Sequence, residues 1–413
     1  MPIVTSLLDV DFYKFTMGQV VFRHFRDVNV VLRLQCRTPG ADLVAFVDED
    51  ELRAELEAAR ELRLNNTELH YLRGTNEYGE RMFSEDYLQF LRDLRLPQFF
   101  LSYHQGQMKL DFVGPWWQVM MWETIALSII NELYYRGMAN SYAPSGFEQE
   151  TMNAGGILAL SEKILYLRQH PELTFSDFGT RRRFSKAWQE YVVGTLADEL
   201  PKQFLGTSNV YLAMQHGLVP MGTSAHELFM VGAGVAKQDD DAIRESHNQM
   251  LLTWWATYGR GLSVALTDTF GSDFFFRDWA KRPEQAAAWK GVRHDSGDPF
   301  EFGERVIQFY KSLGIDPNDK VIVFSDSLTA ERMIELHERF AGRIRTTFGW
   351  GTNLTNDICL PRLSLVIKPV VANGIGLVKL SDNLNKAVGT DADIARYRRI
   401  FDHGHNNKEE CRS

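Results

Sequence analysis

Apolar and polar positions along the chain change rhythm after the first third. Val28–Cys36 is a run rich in β-branched residues and predicts a strand. Between Glu49 and Arg63, Leu52, Leu56, Ala59 and Leu62 recur at helical spacing and predict an amphipathic helix. Gly114-Pro115 breaks the chain before a strongly apolar helix beginning near Trp117. From Leu173 onward one phrase repeats: a short apolar run ends in a small or acidic cluster, and a helical pattern usually follows. The runs are Leu173–Asp177, Phe204–Thr207, Gly217–Thr223, Leu262–Leu266, Lys290–Arg293, Val321–Phe324 and Ile344–Phe348. Strand, polar loop and helix in alternation predict parallel βα units. Seven loops of one chemical character favour a closed barrel over an open doubly wound sheet. In a barrel these loops meet at the C-terminal face, where active sites form.

Composition narrows the field. A chain of 413 residues with 44% hydrophobic positions can bury a large core and predicts two domains. Its 45 basic and 54 acidic side chains leave a formal charge of −9, which argues against nucleic acid as a partner, since that affinity rests on neutralising phosphates. Phosphate chemistry here must come from a local site. The stretch Phe112–Tyr135 is the most membrane-like, but Glu123 and Glu132 interrupt it, so it predicts a buried helix and no membrane span. Cys36, Cys359 and Cys411 are too few and scattered for a disulfide framework, and the N-terminus lacks the pattern of a signal peptide. Both point to a reducing, cytoplasmic setting.

Four clusters carry candidate chemistry. Arg293-His-Asp-Ser-Gly-Asp298 puts two carboxylates, a hydroxyl and an arginine at a strand end, a set suited to sugar hydroxyls and Mg²⁺; the same residues also make an ordinary turn and helix N-cap. Ser325-Asp-Ser327 and Gly349-Trp-Gly-Thr352 can cradle phosphate through backbone N–H groups. Asp177-Phe-Gly-Thr-Arg181-Arg182-Arg183 joins an aromatic ring to three arginines, a natural grip on an anionic heteroaromatic acid, although a basic solvated helix start is the plainer alternative. His226 follows a Gly-Thr-Ser-Ala stretch; without a His-Glu-x-x-His pattern it gives no support for zinc. Val231–Lys237, superficially glycine-rich, reads as a loop.

With these residues assembled, the sequence resembles the bacterial nicotinate phosphoribosyltransferase family. The matches run from Ser6-Leu-Leu-Asp-Val-Asp-Phe-Tyr13-Lys14 through Asp177–Ser185, Gly206–Asn209, Pro220–Glu227, Thr267-Asp268, Arg293–Pro299, Phe324–Asp326 and Phe348–Thr352 to Lys379–Asp382. The resemblance implies an irregular α/β barrel of the type II phosphoribosyltransferase class, spanning 136–360. A smaller α/β domain is then built from 1–135 and 361–413. It implies synthesis of nicotinate mononucleotide from nicotinate and phosphoribosyl pyrophosphate, assisted by ATP and Mg²⁺, with no metal site assigned to protein side chains. It implies transient phosphorylation of His226, and a homodimer in which Tyr13 reaches the partner's active site.

By the same resemblance Phe178 and Arg181 flank the pyridine ring, and Arg293 and Asp295 lie near the reacting carbon. Ser325, Asp326, Gly351 and Thr352 hold the 5′-phosphate, while Thr207 and Asp268 belong to the substrate site. Ser208 stands where nicotinamide-using relatives carry an acid, and a serine there would donate to the substrate's carboxylate. The alternatives are a nicotinamide- or quinolinate-using sibling, a Mg²⁺-dependent phosphohydrolase, and a non-catalytic metabolite-binding scaffold. The polar tail from Asp402, with His403 and His405, reads as surface.

Overall fold

The computed structural model describes residues 2–77, 80–142, 149–236, 239–358 and 360–404. Among the described residues twelve strands build two main sheets, and Asn76–Glu77 and Glu80–Arg81 form a separate small hairpin. β1 (Asn29–Cys36), β2 (Phe99–His104) and β3 (Gln107–Pro115) come first. Seven short strands follow: β4 (Phe175–Asp177), β5 (Phe204–Thr207), β6 (Val219–Pro220), β7 (Val264–Leu266), β8 (Gly291–His294), β9 (Val321–Phe324) and β10 (Arg345–Trp350). β11 (Leu365–Ala372) and β12 (Ile375–Gly376) close the series.

β4–β10 form one parallel sheet in the order β6-β5-β4-β10-β9-β8-β7, and each coincides with one of the seven apolar runs in the sequence. The expected closure fails: no ladder joins β6 to β7 among the described residues. β6 is two residues long and one of them is Pro220, which has no N–H to extend a ladder. The sheet is therefore a curled half-barrel, the buried helix His226–Val235 and the half-buried helix Asp240–Tyr258 lying between its two edge strands in sequence. The first of these helices corrects the expectation of a loop at Val231–Lys237: it runs to Val235, its glycines fitting against Met250 and Leu377, and Lys237 lies outside the described residues.

The second sheet is antiparallel, ordered β12-β11-β1-β3-β2, so it draws strands from both chain ends. The helix Trp122–Tyr142 runs unbroken behind it, with its apolar positions buried as the sequence predicts. The C-terminal segment does not stay with this sheet. Helix Asp391–Ile400 returns to the half-barrel, where the Phe401 ring stacks on Phe270 at 4.2 Å. His403 is correspondingly buried and donates to the Ser381 carbonyl at 2.9 Å, contrary to the surface position expected of it. His405 lies outside the described residues.

The N-terminal segment docks through a buried ion pair. Arg183 grips Asp9 with both guanidinium arms, at 2.6 and 2.9 Å, and the Asn209 amide donates to the same carboxylate. Of the three arginines in sequence, this one is structural. Arg183→Leu leaves Asp9 buried and uncompensated, so chemical denaturation should show a loss of about 3–5 kcal/mol. Asp9→Asn should cost comparably; unchanged midpoints for both would contradict the pairing.

His247 is buried among Phe229, Phe270, Phe274 and Phe275. Burial in this cage pushes its pKa down to about 4 from 6.5. The folded protein keeps the ring neutral while the unfolded chain takes a proton below about 6.5, so stability drains as pH falls from about 6.5 toward about 4. Comparing thermal melts of the native protein and His247→Phe at pH 7 and pH 5 should show the native protein losing about 2 kcal/mol more on acidification.

Candidate active site

The loops after β4, β8, β9 and β10 surround one open cleft. Phe178, Arg181, His226, Arg293, Asp295, Ser325, Asp326, Gly351 and Thr352 all line it, with Tyr13. Residues more than 170 positions apart thus meet because parallel strands end at one face.

Phe178 is seated by its neighbours. The buried Asp177 carboxylate accepts from the Gly179 N–H at 2.7 Å, from Thr207 Oγ1 at 2.7 Å and from Gln189 at 2.8 Å, which fixes the turn after β4. Burial raises its pKa to about 6. Across the turn, a Cβ on Gly349 would come within 2.3 Å of the Phe178 ring. The first glycine of Gly349-Trp-Gly therefore makes room for an aromatic ring; its service is packing, and the expectation of a phosphate cradle there narrows to Gly351 and Thr352.

His226 opens its helix at 5% exposure. Nδ1 lies 3.0 Å from Thr269 Oγ1, while Nε2 lies 2.9 Å from both Asp295 Oδ2 and Lys379 Nζ. One nitrogen cannot donate to a carboxylate and accept from an ammonium at once, so the ring has two alternative bonding states. Burial, then the Lys379 charge, drives the His226 pKa down to about 4, which keeps the ring neutral near pH 7. A neutral ring with its proton on Nδ1 presents a lone pair at Nε2.

Arg293 donates through Nε to Ser325 Oγ at 2.8 Å and through Nη2 to Asp295 Oδ1 at 3.1 Å. Burial works against the Asp295 charge, yet Arg293 and His226 hold its carboxyl well below the usual range. It stays ionised beside the cleft. Lys386 spans the far side, donating to Asp326 Oδ1 at 2.5 Å and to the Asp295 carbonyl at 2.9 Å.

His226, Asp268 and Asp295 bring ligand atoms within 4.8 Å of one another. A cation already sits there: Lys379 Nζ is 2.9 Å from His226 and 3.6 Å from Asp268. His226 is therefore poorly placed to serve as a metal ligand while Lys379 holds that position.

Three expected residues stand behind the cleft and not on its wall. Thr207 is committed to Asp177. Asp268 accepts from Ser296 at 2.6 Å and from Ser381 at 3.2 Å. Ser208 donates to Asp11 Oδ1 at 2.7 Å, which corrects its expected role toward a substrate carboxylate. The reason is the N-terminal segment: a bridge between Asp11 and Asn209 brings that carboxylate to the serine, and Asp11 in turn pairs with Arg181 at 2.9 Å. Tyr13 stands on the cleft wall of its own chain. It donates to Glu123 at 2.9 Å, because the helix Tyr13–His24 is pinned to the half-barrel by Thr16 donating to the Thr223 carbonyl.

Sequence reasoning missed Arg37, Lys368 and Lys386 on the cleft wall, and carried Lys379 only inside a quoted match. Lone cations just after β1, in β11 and in the segment that follows have no local pattern to mark them.

This arrangement has clear counterparts. Residues 173–405 match the model of the nicotinate phosphoribosyltransferase (NAPRTase) family, and residues 8–131 match that family's N-terminal domain. The crystal structure of a nicotinate phosphoribosyltransferase from Vibrio cholerae is 32% identical with a TM-score of 0.86, covering 97% of this chain and 94% of that one. One from Porphyromonas gingivalis is 31% identical with a TM-score of 0.85, covering 97% and 100%. Together the matches span nearly the whole chain: the chain belongs to the nicotinate phosphoribosyltransferase family.

Proposed function

We propose that the chain makes nicotinate mononucleotide from nicotinate and phosphoribosyl pyrophosphate, with ATP phosphorylating His226 in each cycle. The observation that carries this reading is the joint presence, in one cleft, of an aromatic–arginine pair, an ionised Asp295 and a neutral, lysine-contacted histidine. In the transfer step the pyridine nitrogen's lone pair forms a bond to C1 of the ribose. The bond from C1 to the pyrophosphate oxygen breaks, and its electron pair leaves with pyrophosphate. Asp295, charged and 21% exposed, is suited to stabilise positive charge developing at C1. Arg181, whose guanidinium lies 5.5 Å from the Tyr13 ring centroid, offers charge to a pyridine carboxylate. Basic walls favour nicotinate over neutral nicotinamide, a preference that now rests on Arg181 and not on Ser208. Magnesium, when bound with the phosphates, neutralises the leaving charge.

For the ATP step, His226 Nε2 supplies the lone pair that bonds the γ-phosphorus; the bond to the bridging oxygen breaks and ADP departs with that pair. Water later cleaves the P–N bond and releases phosphate. Lys379 beside Nε2 offsets the charge that this phosphoryl group brings near Asp268 and Asp295. The family resemblance also supports a homodimer in a cytoplasmic setting, although Tyr13 needs no partner to reach this cleft; light scattering of the purified chain tests the dimer.

The deciding assay combines the chain with nicotinate, phosphoribosyl pyrophosphate, Mg²⁺ and γ-labelled ATP. Nicotinate mononucleotide and acid-labile label on His226 are expected. His226→Ala should take up no label and lose the stimulation by ATP, while keeping weak synthesis. Phosphate release from ATP without mononucleotide would favour a phosphohydrolase instead, and undiminished ATP stimulation in the variant would remove His226 from the mechanism.

A further inference from the structure

Three arginines follow one another after β4, and two have evident partners. Arg183 is buried against Asp9, and Arg181 pairs with Asp11 while still facing the cleft. Arg182 also lines the cleft, yet among the described residues its guanidinium makes no hydrogen bond or ion pair. Its backbone is fixed, the carbonyl accepting from the Asn356 amide at 2.8 Å and the N–H bonding the Gly179 carbonyl. The side chain is therefore held at the cleft wall by design of the short helix Thr180–Arg182, not by an attraction of its own.

Its surroundings are cationic. Burial first, then the charges of Arg181 and Arg37, lowers the Arg182 pKa to about 10, an unfavourable setting for a guanidinium with no bound counterion. Arg37 reaches the same cleft from just after β1 and donates to the Lys386 carbonyl at 3.1 Å. Lys386 turns its ammonium to Asp326 and the Asp295 backbone. Asp326 and Asp295 are thus already engaged by Lys386 and Arg293, and neither is within ion-pair reach of Arg182. Like charges crowded into a low-dielectric site are costly unless a ligand supplies the missing negative charge. A planar guanidinium suits phosphate oxygens in particular.

We propose that Arg182, with Arg37 beside it, binds the diphosphate of phosphoribosyl pyrophosphate and of the released pyrophosphate. This rests on the reading of the substrates given above and assigns one end of them to named residues. A 5′-phosphate monoester is the competing phosphate source, for which the cleft-lining loops Ser325–Ser327 and Gly351–Thr352 carry hydroxyls. The crowded arginines match the more highly charged end.

Calorimetric titration with inorganic pyrophosphate and, separately, ribose 5-phosphate tests the assignment in the full chain with Mg²⁺ present. Arg182→Gln should weaken pyrophosphate binding about 10- to 100-fold, the loss of a charge-assisted pair, and raise the KM for phosphoribosyl pyrophosphate in step. Ribose 5-phosphate binding should be unmoved, and Arg182→Lys should restore part of the pyrophosphate affinity. A misfolded variant is recognised by loss of ribose 5-phosphate binding together with a lowered melting temperature, and Arg182→Lys then decides the matter by whether it binds pyrophosphate more weakly than the native chain. Pyrophosphate affinity equal to the native value in both variants, or selective weakening of ribose 5-phosphate, overturns the proposal. The two readings fail separately: native protein that makes the mononucleotide while Arg182→Gln binds pyrophosphate normally sinks only this one. Native protein that makes none, yet loses pyrophosphate affinity in Arg182→Gln, keeps the anion site and sinks the reaction.

Discussion

A single buried carboxylate ties the chain's distant parts to one another. Glu123, at 1% exposure, belongs to the apolar helix behind the antiparallel sheet. Lys14 from the first helix approaches it at 2.6 Å and Lys368 from β11 at 2.9 Å. Lys14 also meets Glu227 at 2.8 Å, the residue directly after His226, and Trp116 donates to that glutamate at 2.6 Å. Burial opposes the Glu123 charge, but the two lysines hold its carboxyl well below the usual range. Removing any one member would strand a charge in the core, which makes the constellation obligatory as a set. Because Tyr13 and Arg181 also look onto Glu123, the same set aligns the cleft's aromatic and cationic walls.

This constraint explains how a half-barrel works without closing. A complete barrel fixes its strand tips through continuous hydrogen bonding. Here the gap between β6 and β7 leaves the tips to be braced from outside, by the N-terminal segment through Asp9 and Asp11 and by the C-terminal segment through Ser381, Lys379 and Lys386. Both chain ends are needed at the site because the sheet alone does not enclose it.

The same point marks where the sequence was legible. The seven βα units were readable because each strand is short, apolar and followed by a polar break, a local pattern set by local forces. Phe178, Arg181, His226, Arg293 and Asp295 were readable because they sit in those breaks. Ser208 was misread: its identity is visible in sequence, but its partner Asp11 lies nearly 200 residues earlier, and only tertiary pairing tells whether a hydroxyl is free. Lys386 and Arg37 escaped for the same reason, as isolated cations whose meaning comes from the loop they meet. His403, in a polar tail, looked exposed because composition says nothing about the groove between Gly271 and Ser381 that receives it.

On the proposed function, an acidic protein that handles polyanions must concentrate its positive charge, and the cleft does so by separating cations according to their counterions. Arg183 and Lys14 are neutralised by carboxylates deep in the core and are unavailable to a ligand. Arg293 and Lys386 are neutralised at the wall by Asp295 and Asp326, so a ligand can compete for them. Among the described residues Arg182 has no such ion pair. This gradation, from fully paired in the interior to unpaired at the cleft, means that an incoming polyanion meets the least satisfied charge first and need not break a buried pair to bind. Net charge of the whole chain is then irrelevant to recognition; what matters is which cations folding has left without carboxylates.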